Sequence, residues 1–294
     1  MNKPNLLKGS LLVIAAFFGM AIFGVLTKIA SEKGAEIWVS FLTYLMGTLL
    51  LLPFVLWKGI GFLKTEHFGY HFGRSAFGLT ASFVYMISMH YIPIVNATLL
   101  FNTTPIFIPI LAALWLKQDI AAKIWCAVAL GFLGIIIIIK PNTAIFTQPG
   151  NLLGLASGFS LAIAYLLIKI LTPTDHWLRI IFYYFFISTC LQLPLLFFAG
   201  PLPELNSILI SLLAGFCLVL AQIFLVLGYE YADASTLGVY QYTSVIYVGI
   251  IEWLVWGIIP PVSDLLGVLL VMLAGFIIIR KGHMTHLMQK DTKT

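Results

Sequence analysis

The chain has 294 residues, of which 61% are hydrophobic and only 9% charged, and its formal net charge is +5. Ordinary soluble domains carry ~25% charged residues, so this composition excludes one and describes an integral membrane protein. The basic residues flank apolar runs, which ties the positive charge to orientation in a bilayer and sets nucleic acid aside as a partner.

About 20 apolar residues in a helix cross ~30 Å of hydrocarbon, and ten such runs follow one another. They cover Leu11–Ala30, Trp38–Trp57, Phe72–Tyr91, Val95–Leu116, Ala121–Ile139, Leu152–Leu171, Leu178–Phe198, Ile208–Tyr229, Ser235–Ile259 and Val262–Ile279. The first follows only Lys3 and Lys8, lacks a small-residue cleavage site and is longer than a signal-peptide core, so it is expected to remain as a span. Only Ile-Pro-Ile separates Tyr91 from Val95, and the break near Asp233 is equally short; both predict tight antiparallel hairpins. Cys126, Cys190 and Cys217 lie inside apolar runs without metal-clip or disulfide spacing and read as small buried packing residues. The polar stretch after the last span reads as a mobile tail.

Cytoplasmic loops retain Lys and Arg. With the N-terminus inside, 13 of the 16 basic residues, including Lys58, Lys64, Arg74, Lys117, Lys169 and Arg179, fall on or near the cytoplasmic side, and only Lys28, Lys33 and Lys140 on the other. Ten spans return the C-terminus inside, giving a multi-pass protein of the bacterial cytoplasmic (inner) membrane with both termini cytoplasmic.

The two halves match at an offset of about 140 residues. Ala21-Ile22 and Lys28-Ile29 recur as Ala162-Ile163 and Lys169-Ile170, Trp38 and Tyr44 correspond to Trp177 and Tyr183, and Pro53 to Pro194. Tyr91 aligns with Tyr231, Thr103 with Thr243, and Gly134–Lys140 with Gly275–Lys281. An odd number of spans per repeat turns the second copy upside down. The expected fold is therefore an all-α integral membrane protein with ten transmembrane helices as two inverted five-helix repeats, 1–140 and 141–282, followed by the tail 283–294. Inverted repeats commonly pack around a pseudo-two-fold axis in the membrane plane, with substrate near the midplane.

Several motifs resemble the drug/metabolite transporter superfamily, in particular its ten-helix EamA-type members. They are Phe17-Phe18-Gly19 and Ser157-Gly158-Phe159 in the first helix of each half, Tyr91-Ile92-Pro93-Ile94-Val95-Asn96-Ala97, Thr104-Pro105-Ile106-Phe107, Gly131-Phe132-Leu133-Gly134 and Leu273-Ala274-Gly275. The resemblance spans Leu11 to Lys281. It implies a central cavity formed by helices one, three, four, six, eight and nine, and transport of a small metabolite. Departures from the family pattern are Tyr44 where members often carry an Arg, Lys117-Gln118-Asp119 where they carry a Glu, and Val245 in place of a Pro.

Polar residues inside spans are costly and face a bundle interior or a wet cavity, which nominates the substrate-binding residues. The ninth span supplies Tyr240, Gln241, Tyr247 and Glu252, the one acid of 11 well inside a span. A cavity-facing Gln241 brings Glu252 onto the same helix face, where it would bind an amine or a coupling proton; the bland reading is a protonated, hydrogen-bonded carboxyl. Pro105 and Pro109 interrupt the fourth span beside Asn102, freeing carbonyls for a ligand or simply kinking a helix that hydroxyls then heal. Ser82 and Gln222 are repeat equivalents deep in the third and eighth spans, with Tyr85 continuing the face of Ser82. Tyr44 is either a site residue or an interfacial anchor. Gly150, Gly154, Gly158 and Ala162 form a small-residue face for close packing or for sliding. Lys28 and Lys169 either snorkel or, for Lys28, attract a carboxylate, and His90 is a second titratable candidate.

No H-E-x-x-H, G-x-S-x-G or phosphate-binding loop occurs, so a membrane-embedded enzyme or a scaffold is the weaker reading. The expected activity is secondary transport of a small polar organic metabolite, with an exporter of amphipathic drugs or toxic metabolites as the runner-up. The expected partners are a small-molecule substrate, a coupling proton or counter-substrate, and the lipid bilayer. No cofactor or metal is expected.

Overall fold

Inside hydrocarbon no water pairs the backbone, so a spanning segment satisfies its N–H and C=O groups within its own helix. The computed structural model describes residues 5–31, 35–92, 94–139, 148, 150–257 and 264–291, without the side chains of 89–90, 94–96, 139, 252, 256, 264 and 279–291. Regular structure among the described residues is wholly helical: α1 (Leu6–Ser31), α2 (Glu36–Lys58), α3 (Phe68–Tyr91), α4 (Ile94–Phe101), α5 (Thr104–Leu116) and α6 (Ala122–Ile139), then α7 (Gly150–Leu171), α8 (Trp177–Gln192), α9 (Leu205–Tyr231), α10 (Ala234–Leu237), α11 (Thr243–Trp256) and α12 (Asp264–Asp291). Among the described residues, six stretches are long and apolar enough to cross a membrane, and Ala122–Ile138 and Leu265–Ile278 add shorter apolar helices. α3 is outside that set although it has 24 residues, because it carries His71, Arg74, Ser75, Ser82 and Ser88.

The observed helices depart from the expected spans in three places. The ninth span is not one helix: α10 gives way to a 3-10 segment, Gly238–Tyr242, before α11 begins. The seventh stops being α-helical at Gln192 and finishes as the 3-10 segment Leu193–Phe198, in which Pro194 lacks the N–H an α-helix would use. Its repeat equivalent Pro53 is absorbed inside α2. The loop after α2 folds into a 3-10 turn, Ile60–Leu63, and α12 continues as helix through the polar residues to Asp291. The expected hairpins turn between Tyr91 and Ile94 and between Tyr231 and Ala234, with Pro93 outside the described residues. Of the expected junction of the repeats, 140–151, only residues 148, 150 and 151 are described. Cys126 and Cys190, expected to be buried, are exposed, and Cys217 is half-buried.

Packing between the halves follows a two-fold exchange. α1 packs on α9 and α7 on α3; α2 packs on α9 and α8 on α3; α5 packs on α7 and α11 on α1. α2 meets α8 and α6 meets α12, each pair being its own image. The α6–α12 contact is very close: a Cβ on Gly134 would sit 2.7 Å from the Gly267 carbonyl oxygen, and one on Gly267 would sit 2.6 Å from that of Gly134. Small residues let helix backbones approach where lipid supplies no hydrophobic drive. On α7 the same device faces α3 and α4. Gly150 lies under Tyr91, Gly154 under Leu100, and Gly158 under the Leu100 and Phe101 carbonyls and Thr103.

Candidate substrate site

Both repeats break the same helix at the same depth. α4 ends at Phe101, Asn102 and Thr103 turn, and α5 starts at Thr104 with Pro105 at its first turn. Pro105 cannot donate to the Phe101 carbonyl, and the Thr104 hydroxyl takes it instead at 2.8 Å, also lying 3.1 Å from the Gly158 carbonyl. Thr103 Oγ1 donates to the Leu100 carbonyl and Asn102 Nδ2 to that of Thr98 (3.0 Å), while Tyr85 pairs with the Thr98 hydroxyl at 2.9 Å. The hydroxyls thus heal the break.

In the second repeat the 3-10 segment holds Tyr240, Gln241 and Tyr242, all buried. Tyr240 donates to the Gly275 carbonyl at 3.2 Å, which turns it toward α12, and Tyr242 lies so close over Gly131 of α6 that a Cβ there would meet its ring at 2.2 Å. Gln241 Oε1 is buried without a partner among the described residues. Thr243 and Ser244 donate back to the Tyr240 and Gln241 carbonyls, both at 2.7 Å. Tyr247 makes an edge-to-face contact with Phe18 of α1 at 5.3 Å. The side chain of Glu252 lies outside the described residues, as does that of His90.

Between the halves sits a polar and aromatic centre. Tyr44 of α2 and Tyr184 of α8 share a hydrogen bond of 2.9 Å, and one turn along Thr48 and Thr189 share another of 3.1 Å. Arg74 of α3, 2% exposed, stacks its guanidinium on the Tyr184 ring at 3.8 Å and donates to Gln222 Oε1 of α9 at 2.8 Å. Ser82, whose hydroxyl donates to the Gly78 carbonyl at 3.4 Å, stands beside Tyr44, and Tyr165 and Tyr229 lie within range of the Arg74 charge. Tyr229 is fully buried and its hydroxyl has no partner among the described residues.

Contacts between the halves flank this centre toward both ends. At the end carrying the 59–67 loop, Asp175 accepts from Arg179 at 2.6 Å and from Thr65 and Thr174, while His71 stands 3.6 Å away. Burial of Asp175 opposes its charge, yet Arg179, His71 and the two hydroxyls outweigh that and hold its carboxyl below the ordinary carboxylate value. Arg179 also donates to the Phe62 carbonyl and Tyr183 to that of Leu63, both at 2.7 Å, binding the loop of one half to the other. Lys169 does not reach for water alone: it donates to the carbonyls of Tyr229 and Ala232 at the C-terminus of α9, at 2.9 and 3.0 Å. At the opposite end Trp38 Nε1 donates to the Gly200 carbonyl at 3.2 Å and Ser40 to Gln192 at 2.6 Å.

A family profile, that of the EamA-like transporter family, matches the chain twice, over residues 7–140 and 148–280. The chain belongs to the EamA-like transporter family. Curated relatives include the pseudopaline exporter of Pseudomonas aeruginosa strain UCBPP-PA14, 25% identical over 92% of this chain and 95% of that protein. The riboflavin transporter of Vibrio cholerae is 27% identical over 92% of this chain and 93% of its own. The S-adenosylmethionine uptake transporter of Rickettsia felis is 25% identical over 87% and 86%. One solved crystal structure superposes with a TM-score of 0.81, covering 96% of this chain and 99% of that one at 14% identity, which carries the fold alone.

In this EamA-like bundle, three of the residues nominated from sequence, Tyr44, Ser82 and Gln222, come together at the centre. Tyr85 and Asn102 gather at the α4–α5 break, and Tyr240, Gln241 and Tyr247 at and beyond its counterpart, with Tyr240 committed to α12. Arg74, Tyr184, Tyr165 and Tyr229 were not nominated. Arg74 falls three residues into the expected third span, and an intramembrane charge is itself the signal that would have found it; counting it with the boundary residues hides it. The tyrosine that meets Tyr44 is Tyr184 rather than Tyr183, because adjacent helix residues point ~100° apart and Tyr183 faces the 59–67 loop and His71.

Proposed function

We propose that this transporter is a secondary carrier of a small polar organic metabolite, an amino acid, amine or related compound, working by alternating access in the bacterial cytoplasmic membrane. The observation that carries this reading is the paired helix break at Asn102–Thr103 and Gly238–Tyr242, on either side of the exchange between halves. Discontinuous helices near the midplane of inverted repeats are the usual setting of a carrier's substrate and coupling-ion site. Rocking one half against the other would then break the Arg179–Phe62 and Tyr183–Leu63 end and the Trp38–Gly200 end in turn. The names of the relatives, transporters of riboflavin and S-adenosylmethionine among them, support a cargo of metabolite size. The tyrosines at the centre favour one further reading, export of amphipathic compounds.

The sequence contains no nucleotide-binding motif, and a gradient of protons, ions or counter-substrate supplies the energy. Sites for substrate comprise Tyr44, Ser82, Gln222, Tyr85, Asn102, Gln241, Tyr240, Tyr247 and Glu252, with both termini and the 59–67 loop cytoplasmic. Purified protein in sealed liposomes, given a proton gradient and a panel of amino acids, amines, nucleosides, quaternary ammonium compounds, riboflavin and S-adenosylmethionine, is expected to move at least one solute. No movement of any of them in either direction, with the protein folded, contradicts the reading; a panel product appearing chemically altered favours an enzyme instead.

A further inference from the structure

We infer that Arg74 is an anion-binding subsite at the centre of the bundle, reading a carboxylate or phosphate on the cargo. The inference rests on the transport reading for the word cargo, and on geometry for the subsite itself.

Arg74 is 2% exposed, and among the described residues no carboxylate lies within ion-pair distance of it. Its neighbours are a neutral amide oxygen, Gln222 Oε1, and the face of the Tyr184 ring. Both favour a cation without neutralising it. Guanidinium presents five donors in a planar fork matched to carboxylate and phosphate, and here the buried Nε–H has no partner among the described residues. A permanently charged group kept in a membrane interior with donors to spare is a costly arrangement unless an anion completes it.

The approach to it is also shaped. Arg74, Gly78 and Ser82 lie four residues apart along one face of α3. Ser82 at the far end of this row is exposed while Gly78 and Arg74 are buried. Gly78 has no side chain to cover the guanidinium: a Cβ there would sit 2.8 Å from Arg74 Nη1. The Tyr44 and Tyr184 hydroxyls and Ser82 offer further polar contacts beside the fork. The repeat equivalent of Arg74 is Ala214, so this cation belongs to one half alone.

The test measures thermal stability of the purified protein at fixed ionic strength with benzoate, inorganic phosphate and phenyl phosphate, and with benzamide as the neutral counterpart of benzoate. The expected result is stabilisation by at least one anion and none by benzamide, with affinity falling on the order of thirtyfold or more in Arg74→Gln. Benzoate as the responder assigns a carboxylate, the phosphates a phosphate. Gly78→Ala, which presses on the flexible end of Arg74 and, at 3.3 Å, on the edge of the Tyr184 ring, is expected to weaken the anion without unfolding the protein. Gln222→Glu places a carboxylate against the guanidinium and is expected to raise stability without added anion while abolishing the response to it; this variant decides the matter if Arg74→Gln does not fold. An anion response that survives in Gln222→Glu or Arg74→Gln, or benzamide acting as well as benzoate in the wild type, overturns the subsite. Anion binding by a wild type that moves nothing across liposomes counts against transport and leaves the subsite standing, whereas transport that is indifferent to these variants overturns the subsite alone.

Discussion

Gly158 joins the small-residue face of α7 to the break between α4 and α5, and adding one methyl there tests both. A Cβ would lie 2.7 Å from Thr103 Oγ1, 2.8 Å from the Leu100 carbonyl oxygen and 3.1 Å from that of Phe101. Two of these are backbone atoms in the last turn of α4, so no rotamer change relieves the clash; α4 and α7 must move apart and the Thr104 hydrogen bond to the Gly158 carbonyl goes with them. Overpacking of this kind costs ~1–3 kcal/mol, against up to ~1 kcal/mol gained from the better helix propensity of Ala. Gly24 of α1 supplies the control, because a Cβ there meets nothing within 4 Å and Gly24→Ala receives the propensity gain alone. Gly158→Ala is therefore expected to be about 1–3 kcal/mol less stable than Gly24→Ala in matched thermal or denaturant unfolding, and to slow transport where Gly24→Ala does not. Equal stability of the two variants refutes the close-contact account, and a stable but slow Gly158→Ala favours the face as a sliding surface.

Asp175→Asn removes the charge that Arg179 meets at 2.6 Å, at an expected cost of about 1.5–3 kcal/mol at pH 7. Because the folded carboxyl sits below its ordinary value of 3.8, its contribution is complete above that value and is lost as pH falls through the lower folded one; unfolding curves of variant and wild type should converge only below about pH 4, and a gap that closes between pH 7 and 5 contradicts the assignment. Glu252→Gln keeps size and hydrogen bonding but removes the charge from the ninth span, and is expected to abolish the pH dependence of uptake in liposomes. Unchanged uptake, affinity and pH dependence would reduce Glu252 to a structural residue.

Hydropathy alone locates the spans, because ~20-residue apolar runs have few other solutions in a bilayer, and the observed helices start and stop within a few residues of them, apart from α8, which gives way to 3-10 turns after Gln192, and α12, which runs on to Asp291. The break in the fourth span is legible for the same local reason: Pro105 and Pro109 remove donors. Its counterpart carries no proline. Gly238–Tyr242 becomes 3-10 through tertiary fit, with Tyr240 drawn to the Gly275 carbonyl and Tyr242 seated over Gly131, and periodicity in a single sequence does not encode which helix will offer that space. The same limit decides the faces of the aromatics. Tyr240 and Tyr184 look alike as tyrosines inside apolar runs, yet one packs on α12 and the other carries the central guanidinium. Comparing the repeats finds Ser82 and Gln222, which have polar images of each other, and passes over Arg74, whose image is an alanine.

That asymmetry bears on how the halves can exchange roles. Tyr44 with Tyr184 and Thr48 with Thr189 are pairs between near-images, and α2 meets α8 as its own image, so these bonds lie along the exchange axis and survive a swap of conformations between the repeats. The Arg74–Gln222 link between α3 and α9 does not have this property, since its image would join Ala214 to Ser82 and can form no hydrogen bond through an alanine. A state in which α3 and α9 are held together on one side of the axis therefore has no partner state of equal energy. A hydrogen bond to a charged group contributes roughly 1.5–3 kcal/mol, enough to hold a two-state equilibrium at about 10 to 1 or beyond. An anion that takes over the Arg74 donors competes with Gln222 for them and weakens the link. Binding of cargo at the centre and release of the bias between facing states are then the same event, which is the coupling an alternating-access carrier requires.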